Sequence, residues 1–238
     1  MSEDNNNKKE DRLNKEVVEA IREGLGLPKK ESLEEAYVTQ AKKFDLSTEL
    51  LSSKTKQAHQ KLFENYVETL NDVSAQLDTA NREEANSNHS NFRSLKIDEV
   101  YNCNAAFLHA LYFENISDLH SKVNMDSLAF IRLERDFGTF DAWQKDFIAC
   151  SMSSRNGWAI TVYNGFLKRY MNVVVDLHNI NIPINCYPVI VMDMWEHAYY
   201  RDYLNDKKSY IFAMMKQFNW SVIENRFKDG EKISKVLK

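Results

Sequence analysis

Apolar positions along this chain recur mostly at helical spacing, and strand spacing comes late. Leu13, Val17, Val18, Ile21 and Leu25 share one helical face until Gly24, Gly26 and Pro28 interrupt it. Ser32-Leu33-Glu34-Glu35 reads as a capping-box start for a second helix reaching about Lys43. A longer amphipathic pattern opens after Leu51, with Ser52 or Ser53 as N-cap, and carries His59, Leu62, Phe63, Tyr66, Val67 and Leu70. The polar stretch 81–95 reads as a loop, in which His89 is a solvated side chain. A helix from about Ile97 to Asn115 follows, packing through Ala105, Ala106, Leu108, His109, Tyr112 and Phe113. Ser127 to Phe137 is a further helix, and a Gly138 turn leads into one ending near Ser151.

Only then does the period change. Trp158 to Tyr163 alternates bulky residues and predicts a strand, Asn164-Gly165 is a hairpin signal, and Tyr170 to Leu177 is the returning strand. The short apolar run Val189 to Met192, closed by Asp193, predicts a third buried strand. An aromatic-rich helix from Tyr203 to Phe227 closes the pattern, its Met and Phe stripe reading as core.

Composition narrows the classes. The 238 residues suffice for one large domain or two small ones, and six Gly and three Pro favour long elements over loops. A net charge of −4 gives no reason to expect nucleic acid. No apolar run approaches the ~20 residues of a membrane span. The charged, Asn-rich first 12 residues read as disordered and look like neither a secretory signal nor a presequence. Three cysteines, Cys103, Cys150 and Cys186, form no C-x-x-C pair and read as reduced thiols, so a cytoplasmic location is expected. Residues 1–43 look like an appendage. Its apolar helical face needs a cover, either the main domain or another protein.

Candidate chemistry concentrates in Asp193-Met194-Trp195-Glu196-His197-Ala198-Tyr199-Tyr200. An Asp at the end of a buried strand with a His four residues on can place two ligands on one ion. The bare spacing also fits a buried Asp capping the next turn with a His packed nearby. Likewise His59, seven residues before Tyr66 and so nearly on the same helical face, fits a half-buried His on an amphipathic helix.

The octet as a whole resembles the D-x-W-E-H-A-Y-Y signature of the iron/manganese superoxide dismutases. LSSKTKQAHQKLFENYVETLN resembles that family's first helix, which carries a metal-binding His, and NCNAAFLHALYFENI resembles its second. FGTFDAWQKDF resembles its junction between halves, and Asn156-Gly157-Trp158-Ala159 the end of its G-S-G-W-A turn, with Arg155 where the first Gly is expected. The resemblance covers roughly residues 44–227. It implies an α+β fold, with a helical hairpin at 44–120 followed by an α/β half at 121–230 built on a three-stranded antiparallel sheet.

Residue by residue, the resemblance implies one iron or manganese ion per subunit, held by His59, His109, Asp193, His197 and a solvent molecule. Such a donor set suits either metal. The family has eight residues from the first ligand to the helix tyrosine, where this chain has seven; without a gap, the ligand position falls on Ala58. Seven residues rotate ~700°, close to two full turns, and an extra residue in a helix is often absorbed as a π-bulge. If the family helix carries such a bulge here, its loss keeps His59 on the same face as Tyr66.

Around the metal, the family sets a polar side chain against the bound solvent. Ala105 is small where iron types carry Gln on the second helix, and His178 stands where other members reach in from the sheet; the bland reading of His178 is a loop histidine. Its hydrogen bond would tune the solvent's proton affinity. Tyr66 is implied at the substrate funnel and Trp158 and Trp195 in its apolar wall. Glu196 is implied to reach the partner's metal histidine, and Tyr200 to lie at the same contact, which makes a homodimer through Glu196 and His197. Leu62 stands where the family has a gateway His, which puts substrate guidance and the dimer contact in doubt.

The resemblance therefore implies a superoxide dismutase acting on superoxide, without nucleic acid or membrane. The alternative is a non-catalytic structural subunit of the same fold in a large assembly such as the mitochondrial small ribosomal subunit. The N-terminal extension, the shortened first helix, Leu62 and Arg155 fit that alternative, whereas the complete ligand set fits the enzyme.

Overall fold

In a computed structural model of the chain, residues 37–116 and 121–236 are described. The expected disorder of residues 1–12, the first amphipathic helix and the capping box at Ser32 lie outside them. Two long helices form an antiparallel hairpin, α1 (Ser53–Thr79) and α2 (Asn91–Asn115). Two shorter helices follow, α3 (Leu128–Phe137) and α4 (Phe140–Ser153). The strands are β1 (Gly157–Asn164), β2 (Arg169–Asp176) and β3 (Cys186–Asp193). Three helices end the chain, α5 (Glu196–Tyr203), α6 (Lys207–Lys216) and α7 (Trp220–Val236). This is the expected α+β arrangement.

Hydroxyl side chains start four of these helices. Ser52, Ser90, Ser127 and Thr139 each accept a hydrogen bond from a backbone N–H of the first turn, at 3.0–3.3 Å. The Ser90 cap starts α2 at Asn91, inside the stretch read as loop. The polar residues there form the exposed face of its first turns, while Leu95 is buried. The helix expected to run to Lys43 is absent from residues 37–43, which are irregular. Side chains of α1 take their main-chain groups instead: Tyr37 N donates to Ser74 Oγ (3.0 Å), Thr39 N to Asn71 Oδ1 (2.8 Å), and Asn71 Nδ2 to Thr39 O (2.9 Å). The main domain covers this part of the extension.

The sheet order is β2-β1-β3, antiparallel throughout. β3 starts earlier than expected because Pro188 hides it. The register shifts beside that residue, where Thr161 pairs with Ile190 but Val162 with Pro188, so a bulge absorbs the missing donor. β2 ends at Asp176, before Leu177, which turns to φ +53°. Gly157 is required where the halves of the sheet approach: a Cβ there would sit 2.1 Å from Val175 O.

The expected single closing helix is three. Leu204 adopts φ +53° after α5, and the Asp206 side chain accepts from Ser209 N (3.0 Å) to start α6. Asn219 accepts from Val222 N (3.2 Å) at the head of α7 and donates its own N–H to Asn115 O (2.6 Å). The Met and aromatic stripe is core as expected, but in two pieces: Tyr210, Ile211 and Met214 on α6, Ile223 and Phe227 on α7. Helices α2 and α7 pack on β3, and α3 and α4 on β2. The core between them is aromatic. Trp143 and Phe147 are fully buried, and Phe227 stacks on Tyr170 at 4.3 Å. Asp193, at the end of β3, is thereby set on a rigid frame facing the helical hairpin.

Candidate metal centre

Four elements deliver one side chain each: His59 from α1, His109 from α2, Asp193 from the end of β3 and His197 from the first turn of α5. Their ligating atoms all lie within 4.8 Å of one another. One oxygen, Asp193 Oδ2, is the hub, with His59 Nε2 at 3.1 Å, His197 Nε2 at 3.2 Å and His109 Nε2 at 3.5 Å. The other carboxylate oxygen accepts from Trp195 N (2.8 Å), which fixes the strand-to-helix turn. The D-x-x-x-H spacing is therefore a strand end followed by a helix start, and both residues reach the same point. α1 is an unbroken α-helix, and the seven-residue step puts His59 and Tyr66 on the site side while Ala58 is exposed.

The protonation pattern fits a cation. Burial lowers the basicity of His59 and, more strongly, of His109, so both rings are neutral. Burial alone would raise Asp193, but the imidazoles of His197 and His59 outweigh it and hold the carboxyl well below the usual carboxylate range. His109 Nδ1 donates to Ala105 O at 2.6 Å, which leaves a lone pair on Nε2. That lone pair faces His197 Nε2 at 3.4 Å and the Asp193 oxygen. The His109 lone pair and the Asp193 carboxylate oxygen face each other with no proton between them, a repulsion that a cation shared by the two relieves. His59 Nδ1 is buried without a partner among the described residues, while its Nε2 faces the hub. Three imidazole nitrogens and one carboxylate are a donor set suited to iron or manganese.

A buried polar chain backs the cluster. His178 is fully buried, in the tip of the turn after β2, and is no solvated loop histidine. Burial pushes its imidazole down to about 4, so it is neutral at ordinary pH. Trp158 Nε1 donates to its Nδ1 (3.0 Å), which puts the ring proton on Nε2, where it donates to Tyr66 Oη (3.1 Å). Burial, with Tyr101 and Asp193 nearby, raises the Tyr66 phenol far above its ordinary value. Trp195 stacks on His178 at 4.8 Å, and Trp158 meets His109 edge-on at 4.9 Å.

The opposite side of the cluster is open. A cavity of about 400 Å³ reaches His59 and His197 between α1 and α5, and Thr55, Glu196, Tyr200 and Arg201 line it. The His197 side chain is 26% exposed there and Tyr200 is 52% exposed. Leu62 is half-buried on α1, four residues before Tyr66.

Sequence reasoning missed two tyrosines. Tyr210 donates to the main-chain oxygen of Asp193 (2.8 Å) and shares a 2.9 Å hydrogen bond with Tyr112, so the stripe read as core also braces Asp193. Tyr101 packs edge-on against His178 at 4.7 Å. Neither tyrosine carries a local sign in the sequence, because each acts through a contact made across the fold.

A helical hairpin and an α/β half bring three histidines and one aspartate together as a candidate mononuclear metal site. Residues 127–226 match the family model for the C-terminal domain of iron/manganese superoxide dismutases. The chain is 35% identical over 179 residues to a superoxide dismutase [Fe] of Aquifex pyrophilus, covering 74% of this chain and 83% of that protein. It is 30% identical over 172 residues to superoxide dismutase [Mn] 1 of Halobacterium salinarum, covering 72% and 84%. A superoxide dismutase [Mn] of Mycolicibacterium smegmatis is 29% identical over 170 residues. The chain belongs to the iron/manganese superoxide dismutase family.

Proposed function

We propose that the chain is a superoxide dismutase: two superoxide ions and two protons give one dioxygen and one hydrogen peroxide. One iron or manganese ion per subunit is held by His59, His109, Asp193 and His197. The observation that carries this is the convergence of three imidazole nitrogens on one Asp193 oxygen, at 3.1–3.5 Å, in a chain of this family. When bound, the metal supplies a one-electron couple.

The protein's own residues supply the rest. Asp193 contributes the negative charge that neutral imidazoles lack. His178 Nε2 and Tyr66 Oη hold a proton beside the centre, and Trp158 fixes the tautomer that permits this. Trp158 and Trp195 exclude water from that side. Glu196 and Tyr200 line the open cavity, and a second copy of the chain completes it there, giving a homodimer. Relatives named for iron and for manganese support either metal. Their enzyme names and the intact donor set favour catalysis over the structural-subunit alternative. No helix among the described residues is long and apolar enough to cross a membrane.

The test is metal content and superoxide dismutation of the purified chain, with His197→Ala as control. The expected result is one iron or manganese per chain and activity abolished in the variant. A parent chain that binds neither metal would overturn the reading.

A further inference from the structure

His178 sits at the centre of a three-residue turn that is both strained and pinned. Asp176 N donates to Ile180 O (3.2 Å) and Ile180 N to Asp176 O (3.1 Å), leaving Leu177, His178 and Asn179 as the loop. Leu177 takes φ +53°, a left-handed conformation that L side chains disfavour. A turn bent this way relaxes unless its main chain is held. Leu177 N donates to Asn156 O (2.8 Å), which holds it to the sheet half. Asn104 Nδ2 donates to the main-chain oxygen of His178 (2.9 Å), which holds it to α2.

The position of Asn104 matters. The next residue, Ala105, is the one whose carbonyl orients the His109 ring, at 2.6 Å. Consecutive residues of α2 therefore hold the ligand His109 and the turn that carries His178. The His178 ring is gripped at Nδ1 by Trp158 and its main chain at O by Asn104. Those two points fix where Nε2 is aimed, and it is aimed at Tyr66 Oη.

We propose that Asn104 is a positioning residue: it fixes the His178 turn against α2 and so sets the direction of His178 Nε2 relative to the metal ligands. Its effect on catalysis rests on the dismutase reading, whereas its effect on the geometry of His178 does not. Asn104 is half-buried, so its replacement leaves the fold standing.

The experiment compares the full-length parent chain with Asn104→Ala, Asn104→Asp, which keeps the shape but loses the donor, and Asn104→Gln, which keeps an amide donor. Crystal structures of parent and Asn104→Ala come first. The expected result is a turn displaced from α2 and a His178 Nε2 to Tyr66 Oη separation beyond about 3.5 Å, outside hydrogen-bond range. The second readout is the midpoint potential of the manganese-loaded proteins, with His178→Ala as reference. Asn104→Ala and Asn104→Asp should move partway toward that reference with metal content unchanged, and Asn104→Gln should lie nearer the parent. Dismutation in the first two should fall about 10-fold, as for other residues that support a metal site from outside. An unmoved His178 in Asn104→Ala, or a potential equal to the parent's, overturns the proposal. Should the parent take up neither iron nor manganese, the dismutase reading falls, and the His178–Tyr66 separation still decides the role of Asn104.

Discussion

The two sides of the metal cluster are built differently. On the inner side, toward the sheet and α2, the polar atoms of the Trp158–His178–Tyr66 chain are paired and His178 is fully buried. On the outer side, between α1 and α5, His197 and Tyr200 are part-exposed around a cavity of about 400 Å³. The run from Trp158 through His178 to Tyr66 is complete within one protomer, since buried groups paired in this way need no further partner. The outer side ends in Glu196, Tyr200 and Arg201 with solvent in front of them. On the proposed reading one chain provides the ligands and the proton-holding groups, and a second copy over the outer side completes the enclosure.

The hub is where the two sides meet, and breaking it should have the largest effect. Asp193→Asn keeps the side-chain shape but removes the one anionic ligand. The expected outcome is loss of bound metal and of dismutation by more than the ~10–100-fold typical of residues that only support ligands. Elemental analysis after dialysis checks it; full metal occupancy in the variant would remove Asp193 from the ligand set. Trp158→Phe tests the inner side alone. It removes the donor that fixes the His178 tautomer and keeps an aromatic ring. Metal should be retained and dismutation should fall about 10-fold. Unchanged kinetics would mean that the tautomer is fixed by something else.

How much of this was legible follows the same division. The four residues of the cluster were readable through the family resemblance, Asp193 and His197 in one octet and His59 and His109 each in a helix matching the family's, and the structure brings them together. The one-residue difference in the first helix showed only against the family's spacing, and helix geometry then allowed His59 to share a face with Tyr66, since seven residues return close to it where eight do not. Asn104, Tyr101 and Tyr210 were not readable. Each acts through one hydrogen bond or ring contact made across the fold, and a lone Asn or Tyr on a helix carries no local sign of such a partner. Pro188 concealed the first part of β3 because a proline counts against a strand until the bulge beside it is seen. Likewise the breaks after Tyr203 and Lys216 arise from main-chain hydrogen bonds and a positive φ that a Met and Phe stripe does not reveal.

Glu196→Ala addresses the outer side, with a smaller effect expected. No ligand is removed and the inner chain is untouched. The proposed dimer should weaken, visible as a lower mass by light scattering at micromolar concentration, and dismutation should fall a few-fold with dissociation. Trp158→Phe should leave the mass unchanged. A Glu196→Ala chain with the parent's mass and rate would mean that the outer side is not closed by a second copy through this residue.

The smallest effect is expected far from both sides, and it calibrates the others. Asp136 lies at the end of the sheet remote from the site, where it accepts from Arg135 and from Tyr170 N (2.7 Å). Burial would raise its carboxyl, but the hydrogen bonds from Arg135 and the Tyr170 amide outweigh burial and hold it below the ordinary carboxylate range. A carboxyl whose folded value is depressed stabilises the fold fully above its unfolded value of ~3.9, and that contribution disappears as the pH falls through the folded value. Asp136→Asn should therefore lower stability by about 1 kcal/mol at pH 7, a modest figure because the Arg135 side chain is part-exposed and screened. The gap between parent and variant should narrow as the pH falls below about 4. Denaturant titrations at neutral and acid pH measure this, and metal content and dismutation should match the parent. A dismutation rate that fell with Asp136→Asn would mean that loosening the sheet anywhere disturbs the centre, and the losses in Trp158→Phe and Glu196→Ala could then no longer be assigned to one side or the other.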